Sequence, residues 1–166
     1  MTYLTTFESG AVRTELPVRY DLCSKIAVRT FLEGYWGAED SKHEFARDLL
    51  TGLLGKAYGP LDDLYYFVSA VLDSNDNNTI VCYILSAYAR TMHEGAAKYG
   101  ERTWEKGIPE ANLKNHAINH LIKYLEGDKT EPHLDHLMWN VLTIIHFREL
   151  EDQTLEQKGD QKNVDD

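Results

Sequence analysis

Two polar stripes rich in histidine are predicted on the last two helices of the chain. Because an α-helix turns by about 100° per residue, side chains three or four positions apart share a face. The stripes consist of His116, Asn119, His120 and Lys123 on the penultimate helix, and of His133, His136, Asn140 and Thr143 on the last helix. Neutral imidazoles at this spacing can ligate a transition metal, and imidazole and amide groups can hydrogen-bond phosphate oxygens or base edges. The alternative is that both stripes are solvated polar faces with histidines packed at their borders.

A loop that could bind a phosphorylated ligand precedes these helices, with the sequence HEGAAKYGERTWEKGIP at residues 93–109. Its glycines let the backbone approach a ligand closely. Lys98 and Lys106 can contact phosphate, and Tyr99 and Trp104 can stack on a base. The segment matches neither a Walker A loop nor a GxGxxG fingerprint. The alternative is an ordinary surface turn whose aromatic residues pin it to the core.

The elements that would position these residues are all helical. Apolar residues recur at helical spacing in six segments, so the fold class is all-α, a compact bundle of five or six helices. The segments are residues 21–33, 41–57, 61–72, 79–98, 110–126 and 132–150. No segment alternates as a strand, and the opening 18 residues are interpreted as an irregular arm. The short connection between the last two helices predicts an antiparallel hairpin, whose two stripes would flank one cleft.

The net charge of −10 is unevenly distributed over the 166 residues. Residues 1–30 and 88–148 together carry +1, whereas residues 31–87 and 149–166 together carry −11. This distribution argues against broad capture of nucleic acid and allows a small phosphate-bearing ligand held in a local cleft. The length fits one domain, residues 1–148. Residues 149–166 have few apolar side chains and are predicted to form a flexible acidic tail.

The chain has the composition of a protein of the reducing cytoplasm. Its two cysteines, Cys23 and Cys82, form neither a disulfide framework nor a CxxC zinc motif. The sequence has no secretory signal and no apolar run near the roughly 20 residues that span a bilayer, so no membrane partner is expected. The apolar segment IVCYIL at residues 80–85 favours a homo-oligomer, in which neighbouring subunits cover surplus apolar faces.

Several short motifs occur in a specific order along the chain. They are GAVR at 10–13, RYDL at 19–22, EGAAKYGERTWEKGIP at 94–109, NHA at 115–117, YLEGD at 124–128 and HLDHLMWN at 133–140. Together they resemble a small phage family, the N-terminal domain of dATP/dGTP diphosphohydrolases. The resemblance covers about 90 residues within 1–30 and 88–148. Residues 31–87 resemble an insertion between the first motifs and the later ones.

The resemblance implies a phage-encoded, all-α protein of the host cytoplasm. It would act on purine deoxynucleoside triphosphates and release pyrophosphate with Mg²⁺ or Mn²⁺. The candidate catalytic residues are Glu94, Asp135 and His136, as metal ligands or bases. The candidate ligand-binding residues are Arg13, Arg19, Lys98, Tyr99, Trp104, Lys106, His116, Asn119, His120, Lys123, His133 and Asn140.

Three functions remain open at this point. The first is the diphosphohydrolase that the family name implies. The second is a non-catalytic sponge that sequesters a host immune signalling nucleotide as an anti-defence protein. It is motivated by three features. The ExxE and ExxD helices of MazG-type pyrophosphohydrolases are not found, Asn119 stands where the family pattern has arginine, and the insertion at residues 31–87 could remodel the pocket. The third is an acidic inhibitor that binds a host protein through residues 31–87 and the tail.

Overall fold

The fold is described from a computed structural model of the chain. It describes residues 4–14, 41–55 and 60–162, with the side chains of 42–55 and 61–157 beyond residue 40. The described part contains five α-helices: α1 (Ser41–Leu54), α2 (Pro60–Leu72), α3 (Asn77–Tyr99), α4 (Glu110–Leu125) and α5 (His133–Lys162). A short 3-10 helix, Thr103–Lys106, follows α3. The predicted all-α class is confirmed, and the predicted helix at residues 21–33 lies outside the described residues.

A small β-hairpin replaces part of the irregular arm that the sequence predicted. Strands β1 (Leu4–Thr6) and β2 (Val12–Thr14) pair antiparallel. Gly10 makes the turn with a positive φ of 81°, a conformation that favours glycine. Strands of three residues are too short for their alternation to stand out in the sequence. The alternation nevertheless matters, because it buries the Arg13 side chain while its neighbours in β2 are only partly buried.

Helices α4 and α5 form the predicted antiparallel hairpin and carry much of the core. Their fully buried apolar side chains include Leu113, Leu121, Leu137 and Ile144. Helix α3 packs on α5, and α1 packs on α2 and α4. None of the described helices combines the length and the apolar character needed to cross a lipid bilayer.

The last helix continues past its predicted end. Helix α5 runs to Lys162, whereas the sequence predicted an end near residue 150. The extension contains good helix formers such as Glu, Leu, Gln and Lys, which sustain a helix even though few of its side chains are buried. Between residues 149 and 157 all side chains but one are exposed. The flexibility of the acidic tail stays a prediction.

An ionic contact joins the start of α4 to the middle of α5. Arg148 donates to both carboxylate oxygens of Glu110, at 3.1 and 2.8 Å, and Lys114 Nζ lies 2.8 Å from the same carboxylate. The hydrogen bonds from Arg148, followed by those from Lys114, lower the pKa of Glu110 from 4.5 to about 2. The contact therefore stabilises the helical hairpin most when Glu110 is ionised.

The substitution Glu110→Gln is expected to lower the free energy of unfolding at neutral pH by about 1 kcal/mol, because the pair is partly exposed and screened. The pKa of Glu110 is lower in the folded chain, so the stabilisation is present above about pH 4.5 and is lost as the pH falls toward 2. Urea denaturation at neutral and acidic pH measures the difference between variant and wild type. A difference that does not shrink with falling pH would contradict this account, and an Arg148→Met background, in which Lys114 still pairs with Glu110, should reduce the pH dependence.

Candidate functional site

A cavity of about 760 Å³ lies where β2, the end of α3, the following loop, α4 and α5 meet. Its volume is within the usual range for small-molecule sites. Most of the residues predicted from sequence line it. They are Arg13, Glu94, Lys98, Tyr99, Trp104, His116, Asn119, His120, Lys123, His133, His136 and Asn140. The two stripes therefore face one shared cavity, except for Thr143, which does not line it.

Arg13 is the buried cation of this cavity, with only 9% of the residue exposed. Its Nη2 donates to Asn140 Oδ1 at 2.5 Å, and its guanidinium lies 5.0 Å from the centroid of the Trp139 ring. Its buried Nε has no hydrogen-bond partner. Burial lowers the pKa of Arg13 from 12.5 to about 9, so the side chain is still charged at neutral pH. Within the described part of the chain, this guanidinium contacts an amide and an aromatic ring but no carboxylate.

Asn140 holds Arg13 in place from helix α5. Its Nδ2 donates to the backbone carbonyl of His136 at 2.7 Å, which fixes the orientation of the amide. With that orientation, Oδ1 is directed at the guanidinium. Trp139 is held in turn, because its indole N–H donates to Met92 Sδ at 2.9 Å. Helices α3 and α5 together therefore preorganise the arginine.

His116 is buried beside Arg13 and is neutral at physiological pH. Its Nε2 donates to the backbone carbonyl of Thr14 at 2.8 Å, since a carbonyl can only accept. Burial, and secondly the charge of Arg13, lowers the pKa of His116 from 6.5 to about 3. The neutral ring thus retains a lone pair on Nδ1 as a hydrogen-bond acceptor.

Three further histidines cluster where the cavity meets the connection between α4 and α5. The Nδ1 atoms of His120 and His133 lie 3.0 Å apart, and the His136 ring stands edge-on to His120 with centroids 4.8 Å apart. Burial, followed by the charge of His136, lowers the pKa of His120 to about 2. His116, His120 and His133 are buried, so these three histidines are not solvated members of the stripes.

Carboxylates surround this histidine cluster on its exposed side. His136 Nε2 lies 3.5 Å from Glu94 Oε2, and His136 Nδ1 lies 3.4 Å from Glu131 Oε2. His133 Nε2 lies 3.5 Å from Asp128 Oδ2. Glu131 and Asp128 were missed by the sequence reasoning because they lie between α4 and α5, where helical spacing carries no information. Their closeness to the histidines in the chain was the available signal.

One group of side chains in the described part could ligate a metal ion: His120, Glu131 and His133. One ligand atom from each lies within 4.8 Å of the others. Mg²⁺ was expected with Mn²⁺ as its alternative, but Mg²⁺ prefers oxygen ligands only. Two imidazoles and one carboxylate are the donors that later first-row transition metals favour. This group therefore does not fit Mg²⁺.

The end of α3 and the loop after it supply the aromatic and cationic wall. Tyr99 OH is 3.0 Å from Thr14 Oγ1, and Lys98 Nζ lies 5.0 Å from the centroid of the Tyr99 ring. Trp104 packs edge-on against His146, with centroids 5.0 Å apart. The aromatics thus anchor the loop to the core, as one interpretation predicted, and they also line the cavity, as the other required.

Two predicted residues, Asp135 and Lys106, are not brought to the cavity. Asp135 is two positions after His133, about 200° around α5, and both of its oxygens accept hydrogen bonds from Arg90 at 2.6 and 3.0 Å. It is thus tied to α3 on another face of the helix. Lys106 does not line the cavity, and its side chain lies near Gly10 in the β-hairpin turn. Arg19 lies outside the described residues.

Comparison with known proteins identifies the family. The model for the dATP/dGTP diphosphohydrolase N-terminal domain matches residues 75–157, half of the chain. The chain therefore belongs to this family. The match includes the cavity wall from α3 to α5 and begins within residues 31–87, the segment that the sequence predicted to be an insertion. No curated protein and no solved structure matches the chain.

Proposed function

We propose that the chain binds a purine nucleotide in the cavity, with the phosphates on Arg13. The observation that carries the proposal is the buried guanidinium whose Nε has no partner. A buried cation without a counter-charge destabilises the fold. A phosphate oxygen would give Nε an acceptor and would add a charge-assisted hydrogen bond. The family name supports a nucleotide as the source of that phosphate.

The rest of the cavity suits the remaining parts of a nucleotide. Lys98 and Arg102 are exposed residues that line it, so they can swing toward a second and a third phosphate. His116 Nδ1 offers an acceptor to a sugar hydroxyl or to a base N–H group. The ring of Tyr99 offers a surface on which a base can stack. These groups would orient a nucleotide with its phosphates inward at Arg13.

We further propose Glu94 as the general base, positioned by His136, if the bound triphosphate is hydrolysed, as the family name implies. In that reaction water attacks the α-phosphorus, the bond to the bridging oxygen breaks, and pyrophosphate leaves a nucleoside monophosphate. Glu94 would accept the proton of the attacking water. His136, 3.5 Å from Glu94, would orient the carboxylate.

A second candidate function is retention of the intact nucleotide, as a sponge would require. Of the carboxylates that line the cavity in the described residues, Glu94 alone lies within an α-helix. Paired carboxylates on helices, which hold Mg²⁺ in MazG-type enzymes, are therefore not part of this described lining. This observation favours tight binding without turnover.

One incubation separates the two functions. Purified protein is mixed with dATP, dGTP or a pyrimidine triphosphate in Mg²⁺ or Mn²⁺, and the products are identified by mass spectrometry. A diphosphohydrolase yields monophosphate and pyrophosphate in equal amounts, and a sponge releases intact purine nucleotide when it is denatured. Neither product nor bound purine nucleotide under any of these conditions would overturn the proposal.

A further inference from the structure

We propose that His120, His133 and Glu131 form a site for one divalent transition metal, of the class of Zn²⁺, Co²⁺ or Ni²⁺. The three side chains come from α4, from the connection after it and from the first residue of α5. This inference does not depend on the proposed nucleotide. It rests on three possible metal-ligand atoms that lie close together beside the connection between α4 and α5.

The two imidazoles already stand at a distance suited to a shared metal. When each donor atom is about 2.1 Å from a tetrahedral metal ion, the donor atoms are about 3.4 Å from one another. The Nδ1 atoms of His120 and His133 are 3.0 Å apart, with both residues buried. At most one proton fits between two nitrogens at this separation, so at least one lone pair is directed at the partner ring.

Asp128 is placed to orient one of these ligands. His133 Nε2 is buried, has no hydrogen-bond partner and lies 3.5 Å from Asp128 Oδ2. A carboxylate behind a ligating histidine holds the proton on the far nitrogen, which leaves the near nitrogen for the metal. Here the far nitrogen is Nε2 of His133, and Nδ1 faces His120. The neutral His120 ring would carry its proton on Nε2 when its Nδ1 binds the metal.

Glu131 would complete the set from the exposed side. Its side chain is 56% exposed, so its carboxylate can move toward a metal bound by the two histidines without repacking the core. His136 Nδ1, 3.4 Å from Glu131 Oε2, would hold the carboxylate toward the histidine pair. Three protein ligands leave at least one coordination position of the metal directed into the cavity, where water or a phosphate oxygen can occupy it.

The test is a titration of the full chain with Co²⁺, followed by its visible absorption. Wild type should bind one Co²⁺ per chain with the intense spectrum of low coordination number, Zn²⁺ should displace it, and millimolar Mg²⁺ should not. His133→Gln should weaken Co²⁺ binding by more than about a hundredfold, and Asp128→Asn by about tenfold to a hundredfold. The control His146→Gln removes another α5 histidine, one that packs on Trp104, and should bind as wild type does.

Glu131→Gln guards against misfolding as an explanation, because Glu131 is exposed. It should retain the circular dichroism and unfolding midpoint of wild type while losing about tenfold or more in Co²⁺ affinity. The matched control is Glu126→Gln, an exposed glutamate of the same connection that pairs with Lys123. Failure of wild type to bind Co²⁺, wild-type affinity in both His133→Gln and Glu131→Gln, or displacement by Mg²⁺ would overturn the site.

Discussion

Replacing Arg13 with methionine is expected to weaken the binding of dGTP by at least about thirtyfold, or about 2 kcal/mol. The guanidinium is the one cationic group among the buried residues of the described chain. Its Nε has no protein partner to compete with a phosphate oxygen. Methionine keeps the length and apolar contact of the side chain but removes the charge and every donor. Isothermal titration calorimetry with dGTP measures the loss.

The stability of the Arg13→Met variant separates loss of binding from loss of fold. Removing a buried cation offsets the loss of its hydrogen bond to Asn140, so the free energy of unfolding should stay within about 1 kcal/mol of wild type. Arg47→Met is the matched control, since Arg47 pairs with Glu44 and Asp48 on the surface of α1. Unchanged dGTP affinity in Arg13→Met, or an equal loss in Arg47→Met, would exclude Arg13 as the phosphate-binding group.

Truncating Trp139 to alanine should have the largest effect on stability, lowering the free energy of unfolding by about 3–5 kcal/mol. The ring is buried, and its N–H bonds Met92 Sδ, so truncation leaves a cavity between α3 and α5. It also removes the ring beneath the Arg13 guanidinium. Urea denaturation followed by circular dichroism measures the change.

Two comparison variants test this explanation of the Trp139 effect. Trp139→Phe keeps most of the packed ring and should recover most of the lost stability. Leu155→Ala removes an apolar side chain on the same helix that is 60% exposed, and it should change stability by less than about 0.5 kcal/mol. A loss of unfolding free energy below about 1 kcal/mol in Trp139→Ala would show that the ring does not stabilise the packing of α3 on α5.

Helical periodicity was enough to predict the framework of the site. Apolar spacing located α4 and α5, and their short connection implied the antiparallel hairpin that brings His116, His120 and His133 together. Periodicity could not show that these histidines are buried. His116, for example, contacts β2 through the Thr14 carbonyl, which is 102 residues away in the chain.

The errors have equally specific physical causes. Asp135 was grouped with its neighbours in the HLDHLMWN motif, although two residues along a helix point to different sides. Glu131 and Asp128 were overlooked because a connection between helices has no periodicity to interpret. Arg13 lines the cavity, and its role in ligand binding stays a prediction; its burial follows from a strand that is only three residues long.

A crystal structure of the chain grown with dGTP tests the central claim most directly. The account predicts a phosphate oxygen within hydrogen-bond distance of Arg13 Nε, with the nucleotide inside the cavity between α3, α4 and α5. Bound dGTP that leaves Arg13 Nε without a phosphate contact, or that lies outside this cavity, would contradict the account.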